Sequence, residues 1–212
     1  MTAGATENQT ALAAVSEEEQ ARANTYSLLG AMLGRAPGPD ILGALKAIPV
    51  TESSAAPAES RDMFEAWSVL QLAAERAAPA SVAGEFHELF VGIGRGELVP
   101  FGSWYLTGFM MEKPLAVLRR DLAALGFARQ EGTREPEDHV GALCETMAMI
   151  INSSEEFGFD DQQRFFADHM EPWMGKFFSD LQMADAASFY TAVGKFGESF
   201  IGLESRYFAM TV

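Results

Sequence analysis

The stretch "FYTAVGKFGESFIGLESRY", residues 189–207, decides the fold class. Phe189, Val193, Phe196, Phe200, Leu203 and Tyr207 recur in it with gaps of four, three, four, three and four. An α-helix lays that spacing along one face, whereas a strand would divide it between two. A partner-binding coiled coil is one reading of such a stripe, but the run is short and lacks flanking charge pairs, which favours packing within the domain. Its stripe is expected to pack against other helices of the same chain.

Working back toward the N-terminus, the helical period returns repeatedly. "EPWMGKFFSDLQM" (171–183) and "DDQQRFFADHM" (160–170) read as short helices. "PEDHVGALCETMAMIINSSE" (136–155) reads as a helix with Pro136 in its first turn. "SWYLTGFMMEKPLAVLRRDLAALGF" (103–127) reads as helical in two pieces, because Pro114 breaks or restarts it. Ser81 is expected to cap a helix over "VAGEFHELFVG" (82–92), and "RDMFEAWSVLQLAAERAA" (61–78) carries Met63, Phe64, Trp67, Leu70 and Leu72 at helical spacing. "PDILGALKAI" (39–48) makes a short helix. A further helix over about 17–35 follows a capping box, Ser16 with Glu19. Residues 1–15 read as a flexible tail and 16–212 as one helical domain, with loops near 50–60, 92–102 and 127–135. β-branched residues are sparse and no stretch alternates. The expected fold is all-α, a single-domain bundle of about eight to ten helices.

A chain of 212 residues can bury a sizeable core without staples. Its one cysteine, Cys144, lies in an apolar helical run, which excludes an internal disulfide and reads as a small buried hydrophobe. No segment reaches the roughly 18 apolar residues of a membrane span. The N-terminus has acids and no basic leader, so a cytoplasmic protein is expected. Thirty acidic against 15 basic residues give a net charge of −15, which repels phosphate backbones and anionic membranes and favours basic partners.

Signals for catalysis are missing. His87, His139 and His169 form no HExxH pattern and none follows a glutamate by three residues, so no metal is expected. "GIGRG" (92–96) follows a helix, lacks the Lys-Ser/Thr of a phosphate loop, and reads as a turn. Cys144 has no basic neighbour to activate it. No catalytic residue and no cofactor are expected. Two irregular segments remain: "LVPFGSWY" (98–105), with aromatics around a Gly-Ser turn, and "REPEDH" (134–139), with carboxylates before a helix. The helix dipole accounts for an acid or two there but not for His139, which would prefer the other end when charged.

These two segments carry a resemblance. "FHELFVGIGRGELVPFGSWYLTG" (86–108), followed by "EPEDHVGALCETMAMI" (135–150), resembles the TorD/DmsD family of twin-arginine redox-enzyme maturation chaperones. Glu85 to Phe90 match its E-x-x-x-L-F segment. Pro100, Phe101, Ser103 and Tyr105 match its Pro-aromatic-x-Ser-x-Tyr pattern, and Glu135, Pro136, Asp138 and His139 match its E-P-x-D-H. Val99 stands where another proline is frequent, and Phe101 where Trp or Tyr is.

The resemblance implies a TorD-like helical fold, as a monomer or domain-swapped dimer. It also implies a non-enzymatic role: binding the twin-arginine signal peptide and apo form of a molybdenum-cofactor oxidoreductase, and delaying export until cofactor insertion. The client would be an S- or N-oxide reductase or a formate dehydrogenase. The implied peptide site has Pro100, Phe101, Ser103 and Tyr105 on one side and Glu135, Pro136, Asp138 and His139 on the other. Such a leader is an arginine pair followed by an apolar run, which calls for carboxylates beside a greasy groove; Glu135, Glu137 and Asp138 can supply the acid. The alternatives are an acidic helical accessory subunit of a redox enzyme, or a weak guanine-nucleotide-binding or hydrolysing protein.

Overall fold

The computed structural model describes residues 4–49, 58–129, 132 and 135–210. Its helices are α1 (Gly4–Gly34), α2 (Pro39–Ala47), α3 (Ala58–Arg76), α4 (Pro79–Phe86), α5 (Gly102–Thr107), α6 (Lys113–Ala124), α7 (Val140–Asn152), α8 (Phe159–His169), α9 (Glu171–Met183) and α10 (Phe189–Ala209). One π-helical turn, His87–Val91, continues α4. Among the described residues there is no strand, only a single antiparallel bridge between Phe101 and His139. The chain is all-α.

The stripe on α10 is the centre of the core. Phe189, Val193, Phe196 and Phe200 are buried, and Phe196 meets Trp67 of α3 edge-on with ring centroids 4.5 Å apart. Glycines let α9 and α10 approach closely. A methyl group at Gly197 would overlap the Phe178 ring, and one at Gly194 would sit 2.9 Å from the Phe178 carbonyl oxygen. Past Phe200 the buried side of α10 shifts: Glu204 and Phe208 are buried, while Leu203 and Tyr207 are half-buried. Arg22 of α1 is the cause. Its Nε and Nη2 donate to Glu204 Oε1 and Oε2 at 2.8 and 2.7 Å, and Nη1 donates to Gln162 of α8 at 2.9 Å. Tyr26 donates to the same carboxylate at 3.0 Å, and the guanidinium lies 4.2 Å from the Tyr207 ring centroid. A buried charge needs this degree of pairing.

Several element boundaries differ from those read in the sequence. Ser16 is not a cap. α1 runs unbroken from Gly4 through it, because Ala11–Ala14 are strong helix formers. The helix therefore covers most of the expected 1–15 tail; residues 1–3 lie outside the described residues. α4 starts at Pro79 rather than after Ser81, with proline in the first turn where its missing N–H costs nothing. On α3 the buried positions are Ala66, Leu70 and Ala74, and Leu72 is exposed. The loop expected near 50–60 falls mainly on 50–57, outside the described residues, as does part of 127–135. "GIGRG" is the expected turn, with Gly92 at φ 58° and Gly94 at φ 90°.

Acidic side chains cap helix starts from a distance. Glu85 on α4 accepts from the backbone N–H groups of Ser188, Phe189 and Tyr190 at 2.7, 3.1 and 2.6 Å. Three orphan donors at the start of α10 are thereby satisfied by one carboxylate, favourably placed for the helix dipole. The glutamate that opens the E-x-x-x-L-F segment thus fixes the entry of the core helix.

Candidate functional site

The two irregular segments meet. Val140 N donates to Pro100 O, and Gly102 N donates to Asp138 O, both at 2.9 Å. The Phe101 and His139 rings lie edge-to-face with centroids 5.0 Å apart. α5 begins after Phe101, which has no side-chain acceptor to cap it. Asp138 supplies one from across the chain: its Oδ2 accepts from Ser103 N at 2.7 Å and from Ser103 Oγ. Both residues are buried. Asp138 is therefore an N-cap for α5 donated by the other segment.

This arrangement changes the start of α7. The sequence puts Pro136 in its first turn; instead Pro136–His139 form a turn closed by His139 N donating to Pro136 O at 3.2 Å, and the helix begins at Val140. A helical Asp138 would turn its carbonyl along the axis and away from Gly102. His139 is the N-cap, extended at φ −65° and ψ 136°, with Nδ1 accepting from Gly141 N at 3.1 Å. The puzzle of a histidine at a helix start resolves here, because a neutral imidazole acts as an acceptor. Burial pushes its pKa down to about 4, which keeps it neutral at pH 7.

The sign of the resulting pH dependence follows. The unfolded chain takes up this proton near pH 6.5, the folded chain only near pH 4, so acidification favours unfolding. Between pH 7 and pH 4 the loss from this group is about 2–3 kcal/mol. His139→Asn keeps a capping side chain without the titration. Urea unfolding at both pH values should find the variant losing less stability on acidification than the parent.

Of the remaining predicted site residues, Pro100 is buried in the wall these segments build. Tyr105 packs on Trp173 and Phe177 of α9, with centroids 5.4 and 5.9 Å away. These contacts join the two segments into one wall, and residues of that wall line two pockets. One, of about 660 Å³, lies between α1, α6 and α7 and is lined by Glu135, Pro136, Glu137 and His139 together with Arg119, Arg129, Leu122 and Phe127. The other, of about 330 Å³, is lined by Gly102, Leu106, Val117, Asp138, Leu143 and Trp173.

Glu137 is the most engaged carboxylate of the larger pocket. Arg119 donates to its Oε2 through Nε at 2.9 Å and Nη2 at 2.8 Å, and Arg129 Nη1 lies 3.5 Å from Oε1. Partial burial acts to raise its pKa, but the Arg119 hydrogen bond and the two positive charges outweigh that and hold it below the ordinary carboxylate value. One carboxylate thus receives two guanidinium groups from separate elements. Sequence reasoning missed both arginines, since nothing local links positions 119 and 129 to 137. Among the described residues, no cluster of three or more His, Cys, Asp or Glu could hold a metal, and no helix is long and apolar enough to cross a membrane.

The family described as nitrate reductase delta subunit matches residues 56–179, a span that contains both segments of the wall. The chain belongs to this family. The TorD chaperone of Vibrio parahaemolyticus is 28% identical over 140 residues, covering 61% of this chain and 65% of the relative. That of Vibrio cholerae is 26% identical over 152 residues, covering 68% of each chain. The match thus spans about two thirds of the length of these curated relatives, which are named as chaperones rather than enzymes. The crystal structure of a provisionally assigned redox enzyme maturation protein from Archaeoglobus fulgidus superposes with a TM-score of 0.48, at 15% identity, over 88% of this chain and 93% of its own. The family is the one to which the sequence resemblance points.

Proposed function

We propose that this chain is a cytoplasmic maturation chaperone for a molybdenum-cofactor oxidoreductase, and that it holds the client's twin-arginine leader at the pocket between α1, α6 and α7. Residues 16–212 act as the chaperone domain, as a monomer or domain-swapped dimer. The chain makes and breaks no covalent bond in this role. It sequesters the leader while the client remains apo. Membership of a family with named chaperones supports the general role.

The observation that carries the finer reading is Glu137, a partly buried carboxylate in the lining of a pocket of about 660 Å³ that already pairs with two guanidinium groups. An arginine pair on a leader needs the same planar, charge-assisted acceptor. Its guanidinium groups compete with Arg119 and Arg129 for Glu137, and Glu135 at the rim offers a second carboxylate. Phe127 and Leu122 receive the aliphatic stems of the arginines. Pro100, Phe101, Ser103, Tyr105, Asp138 and His139 serve this site by building its wall.

Calorimetric titration with a client leader tests the reading. The intact leader should bind, and replacing both arginines with alanine should weaken it by about 10- to 100-fold, which corresponds to about 1.4–2.7 kcal/mol. Equal affinity for the two peptides would overturn arginine reading at this pocket.

A further inference from the structure

We infer that Arg119 and Arg129 form an internal stand-in for the leader's arginine pair: the chain occupies its own arginine receptor, and a leader binds by exchanging its guanidinium groups for the two already there. This rests on the leader reading above and gives that site its regulation. The chain has 15 basic against 30 acidic residues, yet two of its cations converge on one carboxylate. Arg119 comes from α6 and Arg129 from the connection that follows it. They reach different oxygens of Glu137, Arg119 at Oε2 through Nε and Nη2, and Arg129 at Oε1 through Nη1. Arg129 Nη2 also donates to the backbone carbonyl of Glu135 at 3.2 Å. Both oxygens of the receptor are thus engaged before any peptide arrives.

The carboxylate is fixed and the cations can leave. The Glu137 side chain is only 18% exposed, in the short turn that closes on His139, whereas those of Arg119 and Arg129 are 48% and 40% exposed. Long arginine stems on the surface swing away at little cost, and exposed ion pairs of this kind add little to fold stability. Their effect falls on the receptor instead. A leader meets only the fraction of molecules in which Glu137 is released, so its apparent affinity is reduced by that fraction. The same factor applies to every peptide that uses Glu137 and to none that does not. Exchange also favours release. A tethered competitor acts at about millimolar effective concentration, so Arg119 and Arg129 reclaim the carboxylate as soon as a leader arginine lets go.

Calorimetric titration of the full chain carrying Arg119→Gln and Arg129→Gln, with the intact leader and with its Ala-Ala form, tests this. The double variant should bind the intact leader about tenfold more tightly than the parent, and the Ala-Ala form within about twofold of it. Arg120→Gln is the charge control: Arg120 precedes Asp121 on α6, pairs with it at 2.9 Å and lies outside the pocket lining. Arg119→Gln alone should tighten leader binding, whereas Arg120→Gln, with the same change in charge, should leave it within about twofold of the parent. Thermal melting of the double variant should stay within about 3 °C of the parent, since both arginines are exposed. Unchanged or weaker binding of the intact leader by the double variant, while the parent still discriminates the two peptides, would overturn the exchange alone and make both arginines supports that position Glu137. An equal gain for both peptides, or from Arg119→Gln and Arg120→Gln alike, would mean a general effect of charge and would also overturn it. A parent that binds the two peptides alike would remove the leader reading and this inference together.

Discussion

Glu204→Ala is expected to destabilise the protein by about 3–5 kcal/mol, because it leaves the Arg22 guanidinium buried without its carboxylate. The loss is not confined to one contact. Glu204 joins α10 to α1 through Arg22 and Tyr26, and Arg22 extends the link to Gln162 on α8. Removing the carboxylate strands donors from two residues in an aromatic setting formed by Tyr207 and Phe208. Denaturant unfolding at pH 7 measures the effect. A double replacement, Arg22→Met with Glu204→Leu, should recover much of the loss, since uncharged side chains of similar size remove the stranded charge. If Glu204→Ala costs less than about 1 kcal/mol, water reaches the pair and this end of the bundle is open.

Asp138→Ala is expected to cost about 2–4 kcal/mol and to weaken leader binding in the same variant. A motif that served only to contact peptide would show the second effect without the first. Here the carboxylate is buried and takes both the amide and the hydroxyl of Ser103, so its loss leaves two buried donors unsatisfied at the start of α5. The wall is held by the same bonds. Asp138→Asn, which keeps an acceptor, should fall between the parent and alanine in both thermal melting and affinity. Unchanged melting in Asp138→Ala would mean that the cap is replaceable and that the wall rests on the two backbone hydrogen bonds alone.

The sequence made the helices legible wherever packing follows local periodicity. The α10 stripe as far as Phe200, the short helix α2 and the helix restart at Pro114 between α5 and α6 all appear as read. It failed where a side chain from elsewhere in the chain determines a local outcome. Arg22 and Glu204 are 182 positions apart, and only their meeting explains why a charge sits on the buried side of α10. Glu85 capping α10 and Asp138 capping α5 are equally nonlocal, separated from their partners by about a hundred and by 35 residues. The pairing of "VPFG" with "EDHV" therefore converted an expected first helical turn into a β-bridge. The residues of the wall drew attention as a group because their motifs stand out from helical sequence. Their division into wall and lining was invisible, since burial distinguishes Asp138 from its neighbour Glu137 and the pattern of residue types does not.

The most direct measurement is a double-mutant cycle by calorimetry, pairing Glu137→Gln in the protein with Arg-Arg→Gln-Gln in the leader. A coupling of about 1–3 kcal/mol is expected for a guanidinium pair read by this carboxylate. Additive effects, with the leader losing the same affinity against parent and Glu137→Gln, would contradict the assignment of Glu137 as the arginine receptor.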